Sequence, residues 1–443
     1  MNPPVAFLPT ATDLGLDEQA WHETLELLEW PLVCQHLSDF SSTRMGRDAA
    51  RKLELPHTLA SSSQRLAETV EMVVLDDLTE GGLSFRGVVD LRPVLMRCSK
   101  GGVAAGEDLL GVAETLAAAR RLRRQINEPE LRPICTALID MMVTLPELEQ
   151  RLKFALEEGG RVADRASAPL AGLRQQWQGL RQERRDKLQD MLRRLGTVLQ
   201  DTVIAERHGR PVLAVKAGAV SQVPGQVHDS SASGSTLFVE PRSVLSIGNR
   251  LVDLEARIRD EERKVLAELS GHVAEEEPTL AQLVQVLLQL DLALSRGRYG
   301  RWLGGVAPEL QDNPDASFLL CDLRHPLLIW QQKKAGGPTV VPISVDVSSS
   351  LRVVAITGPN TGGKTVTLKS IGLAALMARA GMLLPCSGQP SLPWCAQILA
   401  DIGDEQSLQQ SLSTFSGHVK RIGRILSALA SGPAPALVLL DEV

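Results

Sequence analysis

The chain is poor in aromatic residues, with seven Phe and one Tyr in 443 residues. So few rings leave little on which successive unpaired bases could stack, which argues against single-strand recognition by stacking as the dominant mode. Its six cysteines, Cys34, Cys98, Cys135, Cys321, Cys386 and Cys395, are scattered, with no C-x-x-C and no paired histidines. That pattern reads as reduced thiols rather than a zinc site or a disulfide framework. No apolar run reaches the roughly 18 residues of a membrane span. Met1-Asn2-Pro3-Pro4 does not open a basic and then apolar leader. A cytoplasmic protein is expected. The net charge of -6 excludes a uniformly basic nucleic-acid coat but leaves room for a local basic face. The remaining composition, 44% apolar and 23% charged, is that of a globular chain long enough for two to four domains.

Residues 21–160 read mostly as helix. Leu25, Leu28, Leu32 and Val33 recur at helical spacing, Ser41-Ser42-Thr43 supplies caps, and Ser61-Ser62-Ser63 starts a further helix. Gly81-Gly82 and Gly101-Gly102 mark breaks, and a helix over 107–125 ends in the cluster Arg120, Arg121, Arg123 and Arg124. Two later stretches carry only a narrow apolar seam. One runs Leu173, Trp177, Leu180, Arg184, Leu188, Met191, Leu195, Val198; the other runs Ile247, Leu251, Leu254, Ile258, Glu261, Val265, Leu269. Helices with such seams pack most simply against each other, antiparallel, as in a coiled coil. Between them the period changes to that of short strands at 211–215, 226–228 and 236–239, punctuated by glycines. A small sheet at the end of a two-helix arm is expected, and about 30 residues of helix would extend roughly 45 Å.

From about residue 316 the pattern becomes α/β. Strands are expected at 319–320, 340–341, 351–357, 398–400 and 437–440, with helices over 364–381 and 416–430, in a parallel, doubly covered sheet.

Gly358-Pro359-Asn360-Thr361-Gly362-Gly363-Lys364-Thr365 fits the phosphate-cradling pattern G-x-x-x-x-G-K-[ST], between an apolar strand and a helix. Its backbone N–H groups and the helix N-terminus would hold phosphate oxygens. Lys364 would reach the β- and γ-phosphates of ATP, and the Thr365 hydroxyl would ligate Mg²⁺. Leu437-Val438-Leu439-Leu440-Asp441-Glu442 reads as the partner strand, with Asp441 for the metal and Glu442 as general base for the attacking water. A Glu directly after this Asp suits hydrolysis rather than kinase chemistry. Between them, Ser411 to Ser416 opens a helix. Its hydroxyls either cap that helix or, with Ser413 and Thr414, complete a neighbouring subunit's nucleotide site.

The phosphate loop, Ser413-Thr414-Phe415 and Leu439-Leu440-Asp441-Glu442 together resemble the ATPase of the MutS family. The stretch from His228-Asp229-Ser230-Ser231 through Gly234-Ser235-Thr236-Leu237-Phe238-Val239-Glu240-Pro241 is similar to the clamp of its second bacterial type, and Arg324-His325-Pro326-Leu327 also fits. The resemblance covers nearly the whole chain from about residue 21. It implies a multidomain fold, with a helical core over 1–160 and antiparallel coiled-coil levers over 161–293 that carry a β clamp at about 203–240. A connector over 294–320 and a partial α/β P-loop ATPase domain over 321–443 would follow. It further implies an ATPase using ATP and Mg²⁺, a homodimer, and ATP-modulated binding of branched or distorted DNA with suppression of recombination or a role in repair. In some members it implies action on stalled ribosomes through rRNA. Where the family often has Asn-Asp after Val-Pro, this chain has Ile343-Ser344 after Pro342. The sequence stops at Val443, so by the resemblance the remaining ATPase strands and a nuclease-bearing Smr domain would lie beyond it. A sheet ending there would leave an edge unpaired. A transporter-type or chromosome-structuring ATPase would instead carry longer coils and a glycine-rich signature, which Ser411 to Ser416 lacks. A scaffold that uses ATP only for shape is the third reading.

Charge supports an arm that touches nucleic acid. Residues 161–194 hold nine basic side chains against four acids in a chain of net charge -6. The clamp adds Arg207, His208, Arg210 and Lys216, and Arg207, Arg210 and Lys216 are the candidate phosphate contacts. A solvated helix face would look similar. A grip of this kind would be salt-sensitive and tolerant of sequence.

Overall fold

The computed structural model describes residues 17–313, 316–359, 363–403 and 411–441, for 411–416 the backbone alone. In chain order the helices are α1 (Glu18–Leu27), α2 (Trp30–Ser38), α3 (Arg44–Arg51), α4 (Leu59–Leu78), α5 (Arg92–Ser99), α6 (Gly106–Ile126), α7 (Pro133–Asp140), α8 (Pro146–Ala155) and α9 (Ala168–Arg194). Strands β1 (Leu199–Arg207), β2 (Arg210–Lys216), β3 (Gly225–Ser230) and β4 (Thr236–Pro241) follow, then α10 (Arg242–Glu275) and α11 (Glu277–Leu303). The last part holds β5 (Glu309–Gln311), β6 (Phe318–Leu323), α12 (Pro326–Ala335), β7 (Ile343–Val347), α13 (Lys364–Arg379), β8 (Ser387–Pro393), β9 (Gln397–Asp401), α14 (Ser411–Ser431) and β10 (Ala436–Leu440). Two compact units result, one from the described parts of 1–90, 117–144 and 279–443, the other from 91–116 and 145–278. No helix among the described residues is long and apolar enough to cross a membrane.

Local chemistry sets the helix ends. Pro in the first turn, where a missing N–H costs nothing, opens α2, α5, α7, α8, α9 and α12. The Asp17 carboxylate caps α1, and the Thr43 hydroxyl caps α3 as expected from Ser41-Ser42-Thr43. Thr58, rather than the serine run at 61–63, caps α4.

The first unit is organised around α11, which is buried over most of its surface through Leu283, Leu287, Leu290, Leu294 and Tyr299, with Gln285 and Gln289 left exposed. A helix with so wide an apolar face belongs in a core. Its buried polar residues are therefore tied down. Asp291 accepts from Ser42 N (2.9 Å), Thr43 N (2.9 Å) and Thr43 Oγ1 (2.6 Å). Arg296 donates to Thr69 Oγ1 (2.9 Å) and Glu68 (3.1 Å). The main core of this unit gathers Leu28, Leu373, Leu376, Met377, Ile398 and Leu439, each worth about 2 kcal/mol on burial. Gly372 permits it, because a Cβ there would lie 2.7 Å from side-chain atoms of both Leu28 and Leu439.

The sheets of this unit differ from the single parallel sheet expected. β9 and β10 pair in parallel, Gln397 opposite Ala436 through Asp401 opposite Leu440. A separate four-stranded sheet runs β5-β8-β6-β7, parallel only between β5 and β8. The expected strand at 351–357 is absent. Leu351, Val353, Val354 and Ile356 are exposed, and no described strand offers them a ladder, without which β propensity does not hold a strand. The expected strand at 340–341 is replaced by β7, which starts after Pro342, a residue with no N–H to give to a ladder.

In the second unit α9 and α10 run antiparallel. Leu173, Leu180, Ile247, Leu251 and Leu254 form the seam, flanked by Trp177 and Ile258. The register is fixed from outside by Ser167 to Glu261 (2.7 Å), Arg174 to Glu262 (2.5 Å) and Trp177 Nε1 to Glu255 (3.0 Å). Where α9 ends and α10 begins, Leu188 and Val244 pack with Leu199, Leu213, Val215 and Val239 of an antiparallel sheet of order β1-β2-β4-β3. The pattern at 211–215, 226–228 and 236–239 locates β2, β3 and β4. β1 escaped because its residues are mostly polar and exposed.

Candidate nucleotide site and basic arm

The parallel pair β9–β10 ends in two aspartates at adjacent positions, with Asp441 N donating to Asp401 O at 3.0 Å. Beside that edge starts α13. Its N-cap Gly363 has φ +81°, ψ 19°, a left-handed turn that a side chain would strain. The turn delivers Lys364 and Thr365 to the first turn of the helix, where N–H groups lack carbonyl partners and the macrodipole favours anions. The Thr365 hydroxyl donates to Asp441 Oδ2 at 2.5 Å. Asp441 is 8% exposed, and no ion pair neutralises it among the described residues. A hydroxyl and an unneutralised carboxylate in contact are a hard oxygen donor pair, which suits Mg²⁺.

Lys364 is partly buried at the helix start, next to Thr365. Gly358 and Pro359 approach from the exposed segment that precedes the loop. Asn360, Thr361, Gly362 and Glu442 lie outside the described residues. Ser413 and Thr414 lie on the first turn of α14, and their side chains are likewise outside them. So the structure brings Thr365 and Asp441 into contact, sets Lys364 beside Thr365 at the start of α13, and places Ser413 and Thr414 by backbone alone.

One cluster had not been singled out. Asp401, 2% exposed, accepts from Arg421 Nε at 2.6 Å and lies 3.0 Å from His418 Nδ1. Both partners belong to α14, so the end of β9 is tied to the helix that carries Ser413 and Thr414. The signal was the i, i+3 spacing of His418 and Arg421, which puts them on one helix face. On the other side, Lys369 of α13 pairs with Glu29 at 3.0 Å, and Glu29 holds φ 56° at the α1–α2 corner.

The three basic residues expected to touch phosphates each have an internal partner. Arg207 lies 4.0 Å above the Phe238 ring and donates to Asp229 at 3.1 Å. Arg210 donates to Asn249 at 3.1 Å and sits 3.5 Å from Glu240, itself 1% exposed and 2.8 Å from His228. Lys216 donates to Thr197 O at 3.0 Å. Along α9 and just before it, Arg161 pairs with Glu157, Arg174 with Asp164 and Glu262, Lys187 with Glu183 and Arg194 with Asp190.

A carboxylate at a strand end against the hydroxyl that opens the helix after a glycine loop is the layout of the P-loop nucleotide-binding class. The profile of MutS domain V matches residues 354–443. The chain is 47% identical over 437 residues to a Synechocystis protein named endonuclease MutS2, covering 95% of this chain and 53% of that one. Proteins of the same name from Symbiobacterium thermophilum and Pelotomaculum thermopropionicum are 41% and 37% identical, again over 95% of this chain and 51% and 52% of theirs. The chain belongs to the MutS family, of the MutS2 type. It spans about half the length of the curated relatives it matches.

Proposed function

We propose that this chain is the nucleotide-binding and DNA-gripping part of a MutS-type ATPase. The observation that carries the reading is the contact between Thr365 and Asp441, at the head of α13 and the end of β10. In this reading Gly358 to Gly363 and the first N–H groups of α13 hold the phosphates of ATP, and Lys364 spans the β- and γ-phosphates. Thr365 and Asp441 hold Mg²⁺, which when bound neutralises charge developing on the transferred phosphoryl group. Glu442 orients and deprotonates the attacking water. Ser413 and Thr414 act in a partner's site in a dimer. Asp401, through His418 and Arg421, positions the helix that presents them, so the two ends of the site shift together. The paired helices α9 and α10 serve as levers and the four-stranded sheet as a clamp on branched or distorted duplex DNA, in recombination control or repair. Arg207 and Lys216 keep part of their surface in water and remain candidate phosphate contacts. Arg210 is better read as a latch on buried Glu240.

Titration with a fluorescent ATP analogue tests the nucleotide half. Lys364→Ala should abolish binding, and an unchanged affinity would remove the assignment. Fluorescence anisotropy with a four-way junction tests the DNA half: binding that weakens steeply with salt is expected, and no binding at low salt would refute it.

A further inference from the structure

We infer that the grip on DNA lies in a groove beside α9, below the clamp sheet, with Arg184 and Arg185 as its phosphate contacts. The inference rests on the reading of the arm as DNA-binding and names its site. The groove has a volume of about 500 Å³ and lies between one face of α9 and the strands β1 and β2. Trp177, Arg181, Arg184 and Arg185 line the helix side, and Ile204 and Pro211 the sheet side. Positions 177, 181, 184 and 185 fall at i, i+4, i+7 and i+8, a single stripe of an α-helix.

Charge commitment together with concavity singles out this stripe. Arg161, Arg174, Lys187 and Arg194 are neutralised by carboxylates within a turn or across the seam. Arg193 on α9 and Arg250, Arg257, Arg259 and Arg263 on α10 pair with no acid among the described residues either, but none of them lines this groove. Neither Arg184 nor Arg185 has an ion-pair partner among the described residues, and Arg181 only overlies the Trp177 ring at 5.2 Å. The acids nearest along the helix are occupied elsewhere: Glu183 accepts from Lys187 at 2.8 Å and Asp186 from Gln182 at 2.8 Å. An arm that needed charge only for solubility would be served equally well by paired charges. Here guanidiniums are left unpaired where the surface is concave, and a concave cationic wall focuses field onto an anion. Guanidinium forks fit phosphate bidentately. Trp177 is engaged by the protein itself, with Arg181 over one ring face and its indole N–H donated to Glu255. The fitting ligand is therefore the phosphodiester backbone of duplex DNA, bound without reading its sequence.

The test measures anisotropy of a labelled DNA duplex with the full chain across a salt series. Each phosphate contact contributes about 0.9 to the slope of log K against log salt. Arg184→Ala with Arg185→Ala should lower the slope by about 1.8 and weaken binding at least tenfold at low salt, with the melting temperature unchanged. Arg184→Lys with Arg185→Lys keeps the charge and should retain the slope. If the parent binds duplex and the double Ala variant keeps the parent slope, the groove is not the site, while the DNA-binding reading stands. If the parent binds structured RNA but not duplex DNA, the choice of ligand is overturned. If it binds neither, the inference fails, and the proposed function fails with it only where a four-way junction also goes unbound.

Discussion

The first unit and the arm of the second use arginine in opposite ways. In the first unit, Arg379 is 2% exposed and lies between the rings of Trp21 and Trp394, 4.9 Å and 5.1 Å from their centroids. It donates to the carbonyls of Pro56, Cys395 (3.3 Å) and Ala396 (3.0 Å), with no carboxylate paired to it among the described residues. Burial pushes its pKa down to about 10, so it still carries its charge at neutral pH. In the arm, Arg184 and Arg185 pair with no acid among the described residues and line an open groove. A buried guanidinium with carbonyl acceptors is a structural cross-brace; an uncommitted one at a concave surface is available to a ligand. Counting charges along the sequence cannot separate the two, because the difference lies in what surrounds each side chain.

Substitution should expose the contrast. Arg379→Ala would leave three carbonyls without a donor and open a space between two indoles. We expect a loss of about 4 kcal/mol in denaturant unfolding. A loss below about 1 kcal/mol would mean the cross-brace is dispensable and would break the comparison.

The next effect is on pH and also belongs to the first unit. His325 is 6% exposed, and burial lowers its pKa to about 4, with Lys369 adding to the drop and Glu29 opposing it. Above pH 6.5 the ring is neutral both folded and unfolded, and it costs nothing. As pH falls from 6.5 towards 4 the unfolded chain takes up a proton that the folded one refuses, so stability drops by up to about 3 kcal/mol. His325→Asn should flatten the stability profile over that window, while parent and variant should match above pH 7.

Within the arm the contrast should reappear at smaller scale. Arg210→Ala strips buried Glu240 of its nearest guanidinium and should destabilise the clamp by about 1–2 kcal/mol. Arg185→Ala should change stability by less than about 0.5 kcal/mol. Hydrogen exchange on β2 and β4 would report the first and be silent for the second. Equal protection in the two variants would erase the distinction between latch and groove residue.

Much of this was legible in the sequence. The seams of α9 and α10, the strands β2 to β4, and the placement of Lys364 and Thr365 at the head of α13 and of Asp441 at the end of β10 follow from spacing, because period and turn chemistry are local. What was not legible depended on partners. The apolar run 351–357 has strand composition, yet it is exposed with no described strand beside it. β1 is too polar to stand out, and its pairing with β2 decides it. The mixed sheet β5-β8-β6-β7 pairs residues as far apart as Glu309 and Ser391, a separation no window can see. Among the basic residues, Arg207, Arg210 and Lys216 were chosen by position in the clamp, and only the fold shows that each has an internal partner.

The most direct test of the account is Mg²⁺ dependence at the Thr365–Asp441 contact. Titration of the chain with a fluorescent ATP analogue, with and without Mg²⁺, should show tighter binding when the metal is present. Asp441→Asn should remove at least tenfold of that gain while leaving metal-free binding within about twofold, since the loop and Lys364 are untouched. An Asp441→Asn variant that keeps the full Mg²⁺ gain would contradict the account, for it would place the metal, and with it the nucleotide, somewhere other than between the head of α13 and the end of β10.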